Sequence, residues 1–332
     1  MKKILLIRFS SIGDIVLVSP VIRALKTQLG CELHILTKNK YRNLYVSNPY
    51  VDKVHVFEKS TRDALPALLP EHFDFIVDLQ KNLRSYRVKR SLKLPSASFP
   101  KLNLKKWLLV NFKINKLEDV HIVDRYFRAV ESLGVKKDGK GLDYFLPEED
   151  FVNLKDYPPL KKNAYVGMVI GGQHKTKMLP AEKAARIISR LPWPVVLLGG
   201  PEDRENGQAI RNLSENKQVL NSCGELSLNE SASLVRQAGI IISNDTGLMH
   251  IAAAFKKPII SIWGNTVPEF GMYPYEPDNS EKVVIAEVKG LSCRPCSKIG
   301  YEKCPKKHFK CMMDQDEAFI VNEVMRLFPA EN

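Results

Sequence analysis

Ser243-Asn244-Asp245-Thr246-Gly247-Leu248-Met249-His250-Ile251-Ala252-Ala253-Ala254 is the stretch on which the reading of this chain turns. Gly239-Ile240-Ile241-Ile242 precedes it, too short and too apolar for anything but a buried strand. The alanine-rich part predicts a helix, and Pro258-Ile259-Ile260-Ser261-Ile262 predicts another buried strand. Asp245 and Thr246 therefore mark a point where a strand ends and a helix begins. Ligands of open α/β sheets bind at such points. A helix start with threonine, glycine and free backbone N–H groups suits phosphate. Asp245 can equally serve as a plain N-cap, and spacing alone leaves both readings open.

The same alternation extends on both sides. Residues 164–170 read as a strand, followed by the loop Gly171-Gly172-Gln173-His174-Lys175-Thr176-Lys177 and a helix that Pro180 opens and that ends near Leu191. Residues 194–198 form the next strand, closed by Gly199-Gly200-Pro201. Ser227-Leu228-Asn229-Glu230 is a capping box. A last helix over residues 316–327 places Phe319, Ile320, Val324 and Leu327 on one face.

Toward the N-terminus, residues 3–9, 32–37, 51–57 and 73–79 read as strands. Ile15, Val18, Ile22, Leu25 and Leu29 recur at helical spacing, with Gly30 as the stop. A long helix is expected over residues 120–133, ending at Gly134. Residues 147–162 are polar and proline-rich and read as a linker. Strands alternating with helices on either side of a linker predict an α/β fold of two Rossmann-like domains with parallel sheets, over residues 1–150 and 160–332. The last helix is expected to pack back on the first domain.

Composition bounds the function. A chain of 332 residues has room for two cores, and 44% hydrophobic content is that of an ordinary globular protein. No apolar run reaches the length of a membrane-spanning helix. The apolar start at Ile4-Leu5-Leu6-Ile7 is broken at once by Arg8-Phe9-Ser10-Ser11-Ile12-Gly13-Asp14, which predicts a first strand and a cytoplasmic protein rather than a signal peptide. The net charge of +13, densest over residues 81–116, attracts anions such as a phosphorylated glycolipid or an anionic membrane face. Nucleic acid is set aside, because no nucleic-acid motif accompanies the charge. A solvated basic surface is the plain alternative.

Two α/β domains would face each other across a cleft. Three loops are expected there: residues 10–14 with a carboxylate, 171–177 with a lysine among glycines, and 244–250 with the phosphate-ready helix start. That set suits transfer from a phosphate-bearing donor to a hydroxyl acceptor.

At these residues the chain resembles the ADP-heptose:lipopolysaccharide heptosyltransferase family, glycosyltransferases of GT-B architecture. The resemblance is carried by residues 1–20, Met1-Lys2-Lys3-Ile4-Leu5-Leu6-Ile7-Arg8-Phe9-Ser10-Ser11-Ile12-Gly13-Asp14 and onward to Pro20, and by residues 244–254. It implies an inverting transfer of heptose, or a related sugar, from an ADP-sugar donor to an anionic glycolipid of the lipopolysaccharide core, with no cofactor needed for catalysis. It implies that Asp14 is the base that takes the proton from the acceptor hydroxyl. It implies that Lys177, Thr246 and Gly247 meet the donor diphosphate, and that Asp245 and His250 serve sugar or phosphate. Leu179 stands where the family pattern has an aromatic residue. Glu202, after Gly199-Gly200-Pro201, is the expected ribose carboxylate, with Asp203 and Glu205 competing for that role. The acceptor is expected at Ser10, Ser11, Arg84 and Arg87, the two arginines sharing a helix face. Contact with the inner face of the membrane is expected for the same basic surface.

Asp314-Gln315-Asp316 reads as helix capping. Cys31 and Cys223 read as buried apolar residues. Cys293, Cys296, Cys304 and Cys311, four thiols in 19 residues with His308 among them, read as reduced thiols, with a structural zinc held by all four as the alternative. Competing functions are a nucleotide-sugar 2-epimerase of the same architecture and a non-catalytic nucleotide-sugar binding protein.

Overall fold

Ile4, Leu5, Leu6 and Ile7 are each fully buried, which requires a strand covered on both faces by helices. A computed structural model of the chain describes residues 1–328 and shows how this is done. The chain divides into two units, Met1–Leu102 with Val120–Phe145, and Asn103–Asp119 with Leu146–Asn332. The last four positions expected in the second domain, 329–332, lie outside the described residues.

The first unit holds β1 (Lys3–Ile7), β2 (Glu32–Lys38), β3 (Lys53–Phe57), β4 (Phe75–Asp78) and β5 (Ser96–Ser98). All are parallel, in the order β3-β2-β1-β4-β5, with Leu5 opposite His34 on one side and Ile76 on the other. The winding direction reverses between β1 and β4, so the loops leaving these two strands flank a ligand-binding position of this architecture.

Two expected helices are broken. The apolar spacing from Ile15 to Leu29 is shared by two helices, Ile12–Leu17 and Ser19–Leu29, that meet at Val18. Pro20 has no N–H to give to the preceding turn, so the second helix starts afresh with Pro20 in its first turn. Gly30 ends it at φ 56°, a left-handed stop that glycine adopts freely. The helix expected over residues 120–133 covers Ile122–Phe127 only. Ala129 and Val130 then bond to carbonyls three residues back, and a short 3-10 turn Glu131–Leu133 leads to Gly134.

The second unit holds β6 (Val166–Val169), β7 (Val195–Leu198), β8 (Val219–Asn221), β9 (Ile240–Asn244), β10 (Ile259–Trp263) and β11 (Val283–Glu287), parallel in the order β11-β10-β9-β6-β7-β8. Its winding reverses between β6 and β9. Ser227 and Glu230 form the expected reciprocal cap, and Asp316 accepts the Phe319 N–H at 2.9 Å, as the D-x-D reading requires. The last helix, Glu317–Leu327, buries Ile320, Val321 and Val324 in the core of its own unit, where Glu317 pairs with Lys183 and Arg186 at 2.7 Å each.

The division departs from the expected boundary at 150. Residues 103–119 belong to the second unit, because Leu109 packs on Val267 and Phe270, and Lys113 Nζ donates to the Pro295 carbonyl at 2.7 Å. The expected linker lies on the helix Leu228–Gln237, through Val152 N–H to Ser233 Oγ and Asn229 Nδ2 to Asp150. Among the described residues no helix is long and apolar enough to cross a membrane.

Candidate active site

In the first unit the chain leaves β1 at Ile7 and turns into the helix Ile12–Leu17, with Asp14 in its first turn. The two carboxylate oxygens of Asp14 have separate partners. Oδ2 accepts from the Ser11 N–H at 3.2 Å and the Ser11 hydroxyl at 3.1 Å, which is a capping contact. Oδ1 lies 2.6 Å from the Arg8 guanidinium and accepts from the Tyr126 hydroxyl at 3.4 Å. Capping and an inward-facing carboxylate are therefore both realised, one oxygen each.

Arg8 is the residue that the sequence did not single out. It is only 6% exposed, donates to the Leu79 and Ser10 carbonyls and to Tyr126, and so ties the ends of β1 and β4 to the helix Ile122–Phe127. A buried guanidinium needs an opposite charge, and Asp14 supplies it. Burial pushes the Tyr126 hydroxyl well above its ordinary range, which keeps it a donor to Asp14. The signal for Arg8 was a lone arginine at the end of an apolar strand.

Across the switch point, β4 ends at Asp78 and the helix Leu83–Leu92 begins. Asn82 caps it, accepting from Arg84 N–H and Ser85 N–H at 3.0 Å. Asp78 is buried and holds Ser85 Oγ at 2.9 Å and Lys89 Nζ at 3.1 Å. Arg84 and Arg87 are exposed, with no ion-pair partner among the described residues. Ser11 is exposed and Ser10 half-buried. The first unit thus presents a carboxylate and a cationic helix start on the two sides of one switch point.

In the second unit the same arrangement has opposite charge logic. Asn244 Nδ2 donates to the Val169 and Ile170 carbonyls at 3.3 and 3.2 Å, which fixes the end of β9 against the end of β6. Lys177, in the loop after β6, puts its ammonium 2.5 Å from Asp245 Oδ2. Thr266, after β10, donates to the same oxygen at 3.0 Å and is a second residue the sequence did not indicate. Asp245 is therefore not the cap. Thr246 takes the N-cap position, with extended backbone and no side-chain cap bond, and Gly247 opens the helix Gly247–Ala254. Gly172 lies alongside: a Cβ there would sit 3.3 Å from Met178 and 3.8 Å from Thr246.

His250 is buried, at 2% exposure, inside the first turn of that helix rather than at its surface. Leu179 is buried in the core and offers no face for stacking. The three carboxylates after β7 separate cleanly. Asp203 is buried and accepts from Gly200 N–H at 2.9 Å, which commits it to the turn. A Cβ on Gly171 would fall 2.3 Å from its oxygen, so glycine is needed there. Glu202 and Glu205 are exposed, and Glu202 curls over Gly200.

The cysteine loop does not form a ligand set. Among the described residues, only His34, His55 and Glu71 bring three metal-capable atoms within 4.8 Å of one another. Lys3 and Lys53 already neutralise that Glu71, at 3.0 and 2.5 Å. Cys293 Sγ lies 3.8 Å from His308 Nε2, and the Cys296 thiol donates to the Cys293 carbonyl. Burial pushes the Cys296 and Cys311 thiols up to about 11 and about 12, which favours protonated sulfur. As arranged, the four sulfurs do not fit a tetrahedral ion.

The sequence profile described as Glycosyltransferase family 9 (heptosyltransferase) matches residues 64–304. Lipooligosaccharide heptosyltransferase 2 of Haemophilus influenzae is 28% identical over 309 residues, covering 85% of this chain and 87% of that protein. The crystal structure of a family 9 glycosyl transferase from Veillonella parvula superposes with a TM-score of 0.78 at 21% identity, over 98% of this chain and 97% of that one. The E. coli ADP-heptose lps heptosyltransferase II superposes with a TM-score of 0.73 at 21% identity, over 99% and 98%. These two share the fold, two parallel α/β sheets of the GT-B kind. With well over half of its length matched by the family profile, the chain belongs to glycosyltransferase family 9, the heptosyltransferases.

Proposed function

We propose that this glycosyltransferase moves heptose from ADP-heptose to a lipopolysaccharide core acceptor, with inversion at the anomeric carbon. One observation carries the reading: Lys177, Asp245 and the open helix start Thr246-Gly247 gather at one switch point. An ammonium beside unengaged helix N–H groups is a diphosphate site that needs no metal.

In this reading the acceptor hydroxyl gives its proton to Asp14 as its oxygen attacks the anomeric carbon. The bond from that carbon to the diphosphate oxygen breaks, and ADP leaves with the electron pair. Lys177 and the helix start meet the charge that grows on the leaving group, so their effect is largest in the transition state. Lys177 exchanges Asp245 for phosphate, which frees Asp245 for sugar hydroxyls. Glu202, exposed after β7, takes the ribose hydroxyls, and His250 supports the helix start from within. Ser10, Ser11, Arg84 and Arg87 receive the anionic acceptor. The reaction belongs in the cytoplasm, at the inner face of the membrane.

The test is a thermal-shift screen against ADP-, GDP- and UDP-sugars. A ligand that binds only the folded state stabilises by about 2.7 kcal/mol at a hundredfold excess over its Kd. The reading expects a shift with ADP-heptose alone among these; an equal or larger shift with a UDP-sugar would reject it. Zinc in the cysteine loop stays a separate proposal that needs the sulfurs to close up. Elemental analysis of the purified protein should find about one zinc per chain, lost in Cys293→Ser with Cys296→Ser; a metal-free, fully stable protein would dismiss it.

A further inference from the structure

Asp245 is held from two sides, by Lys177 of the loop after β6 and by the Thr266 hydroxyl of the loop after β10. A third segment, residues 293–301, fastens both loops. Gly264-Asn265-Thr266 follows β10, and each of its three carbonyls accepts a hydrogen bond from that segment. Arg294 Nε donates to the Gly264 carbonyl at 2.7 Å and its Nη2 to the Thr266 carbonyl at 2.9 Å. Between them, the Cys296 N–H donates to the Asn265 carbonyl at 3.1 Å. The tripeptide does not hold itself: Asn265 is 2% exposed, and neither polar atom of its amide has a partner. A guanidinium suits the task, because its donors lie in one rigid plane and reach two carbonyls at a fixed spacing. Arg294 is fixed in turn by an ion pair to Glu287 of β11 at 2.6 Å and a bond to the Val288 carbonyl at 3.3 Å.

The other end of the segment meets the lysine loop. Thr176, the neighbour of Lys177, donates its N–H and its hydroxyl to the Tyr301 carbonyl at 3.0 and 2.9 Å, and the Tyr301 N–H donates to the Thr176 hydroxyl at 2.8 Å. The approach is close: a Cβ on Gly300 would fall 2.5 Å from the Cβ of His174. A Cβ on Gly264 would fall 2.8 Å from the Thr176 carbonyl oxygen, so the two loops also touch each other. The residues that share Asp245 are thus carried by loops tied to one strap. These ties use guanidinium, main chain and hydroxyl, and no sulfur.

We propose that Arg294 is a positioning residue for the sugar-nucleotide donor: by clasping the Gly264 and Thr266 carbonyls it aims the Thr266 hydroxyl at Asp245 and so sets the pair of Asp245 and Lys177 that receives the donor. It touches no donor atom itself; its effect passes through Thr266. The inference rests on the reading of Lys177 and Asp245 as the donor site. A merely structural arginine would serve only to neutralise Glu287, and the two roles can be separated. Arg294→Lys keeps a charge opposite Glu287 but cannot span two carbonyls. Glu287→Gln removes the ion pair and leaves the clasp.

The test is calorimetry of ADP and ADP-heptose binding to the full-length protein, with melting temperatures recorded alongside. Arg294→Lys should raise the Kd for ADP-heptose about tenfold, and Thr266→Val should do the same. Their combination should again show about tenfold rather than a hundredfold, because both remove one link. Glu287→Gln should lower the melting temperature and leave the Kd within about a factor of two of the parent. Should Arg294→Lys not fold, Arg294→Gln with Glu287→Gln, which leaves no unpaired charge, takes its place in the same series. A parent-like Kd in either single variant, additive losses in the double variant, or an equal loss in Glu287→Gln would overturn the role of Arg294 while the parent still binds the donor. A parent that binds neither ADP nor ADP-heptose would reject the donor reading itself, and this inference with it.

Discussion

Asp14→Asn separates folding from catalysis in a way that the geometry makes quantitative. An asparagine keeps an oxygen able to accept from the Ser11 N–H, so the cap survives. The charge opposite Arg8 does not. Arg8 is buried, while the Asp14 side chain is 22% exposed. The pair thus lies between an exposed ion pair, at about 0–1 kcal/mol, and a fully buried one, whose breaking costs about 3–5 kcal/mol. Arg8 keeps its bonds to Leu79, Ser10 and Tyr126, so the loss should be about 2 kcal/mol, or about 4–8 °C in melting temperature. Turnover should fall by about 10²–10⁴, the usual worth of a general base. The measurement is steady-state transfer with saturating donor and acceptor, alongside calorimetry with ADP. Unchanged ADP affinity with collapsed turnover is the expected pattern. Turnover within a factor of about three of the parent, from a protein with the expected melting shift, would refute the base assignment.

Lys177→Ala should weaken ADP binding and lower kcat together, by about tenfold or more each, since the ammonium serves ground state and leaving group alike; unchanged values of both would remove Lys177 from the site. Arg84→Glu with Arg87→Glu should raise the acceptor KM several-fold at low salt and leave donor affinity alone, and a KM unmoved at low ionic strength would make that face mere solvation. Glu276 supplies a pH test: burial raises its carboxyl from the ordinary 4.5 to about 7. Between these values the folded chain holds more protons than the unfolded one, so the contribution of Glu276 to stability is intact below pH 4.5 and declines as pH rises to 7. Glu276→Gln should therefore match the parent at pH 4.5 and exceed it by about 2–3 kcal/mol at pH 8 in denaturant titrations; equal stability at pH 8 would show that the carboxyl is solvated.

The central strands were legible because a strand covered on both faces must be apolar throughout. Ile240–Asn244 and Ile259–Trp263 announce themselves in this way. The strands that escaped were β5, β8 and β11, all at sheet edges, where one neighbour is missing and burial is partial. Ser96–Ser98 has no apolar residue beyond one alanine to mark it, and only its pairing with β4 makes it a strand. The break at Val18 was visible in Pro20, but the apolar period ran through it because Ile15 in the first helix and Ile22 and Leu25 in the second are all buried.

At the site, positions in sequence located the loops but not their pairings. Asp14 and Lys177 were identifiable as residues at strand ends. That Arg8 holds Asp14, that Thr266 joins Lys177 on Asp245, and that His250 turns inward are consequences of packing between segments far apart in the chain. The assignment of residues 103–119 failed for the same reason, since Leu109 finds Val267 and Phe270 more than 150 positions away.

The most direct test of the account is mass spectrometry together with NMR, which reads anomeric configuration and epimerisation, of a reaction containing the purified protein, ADP-heptose and a deacylated lipopolysaccharide inner-core acceptor. The account predicts an acceptor heavier by one heptose, with the new linkage of opposite anomeric configuration to the donor, one ADP released per transfer, and no change in ADP-heptose when the acceptor is left out. Conversion of the nucleotide-sugar in the absence of acceptor, with no sugar added to the acceptor when it is present, would contradict it.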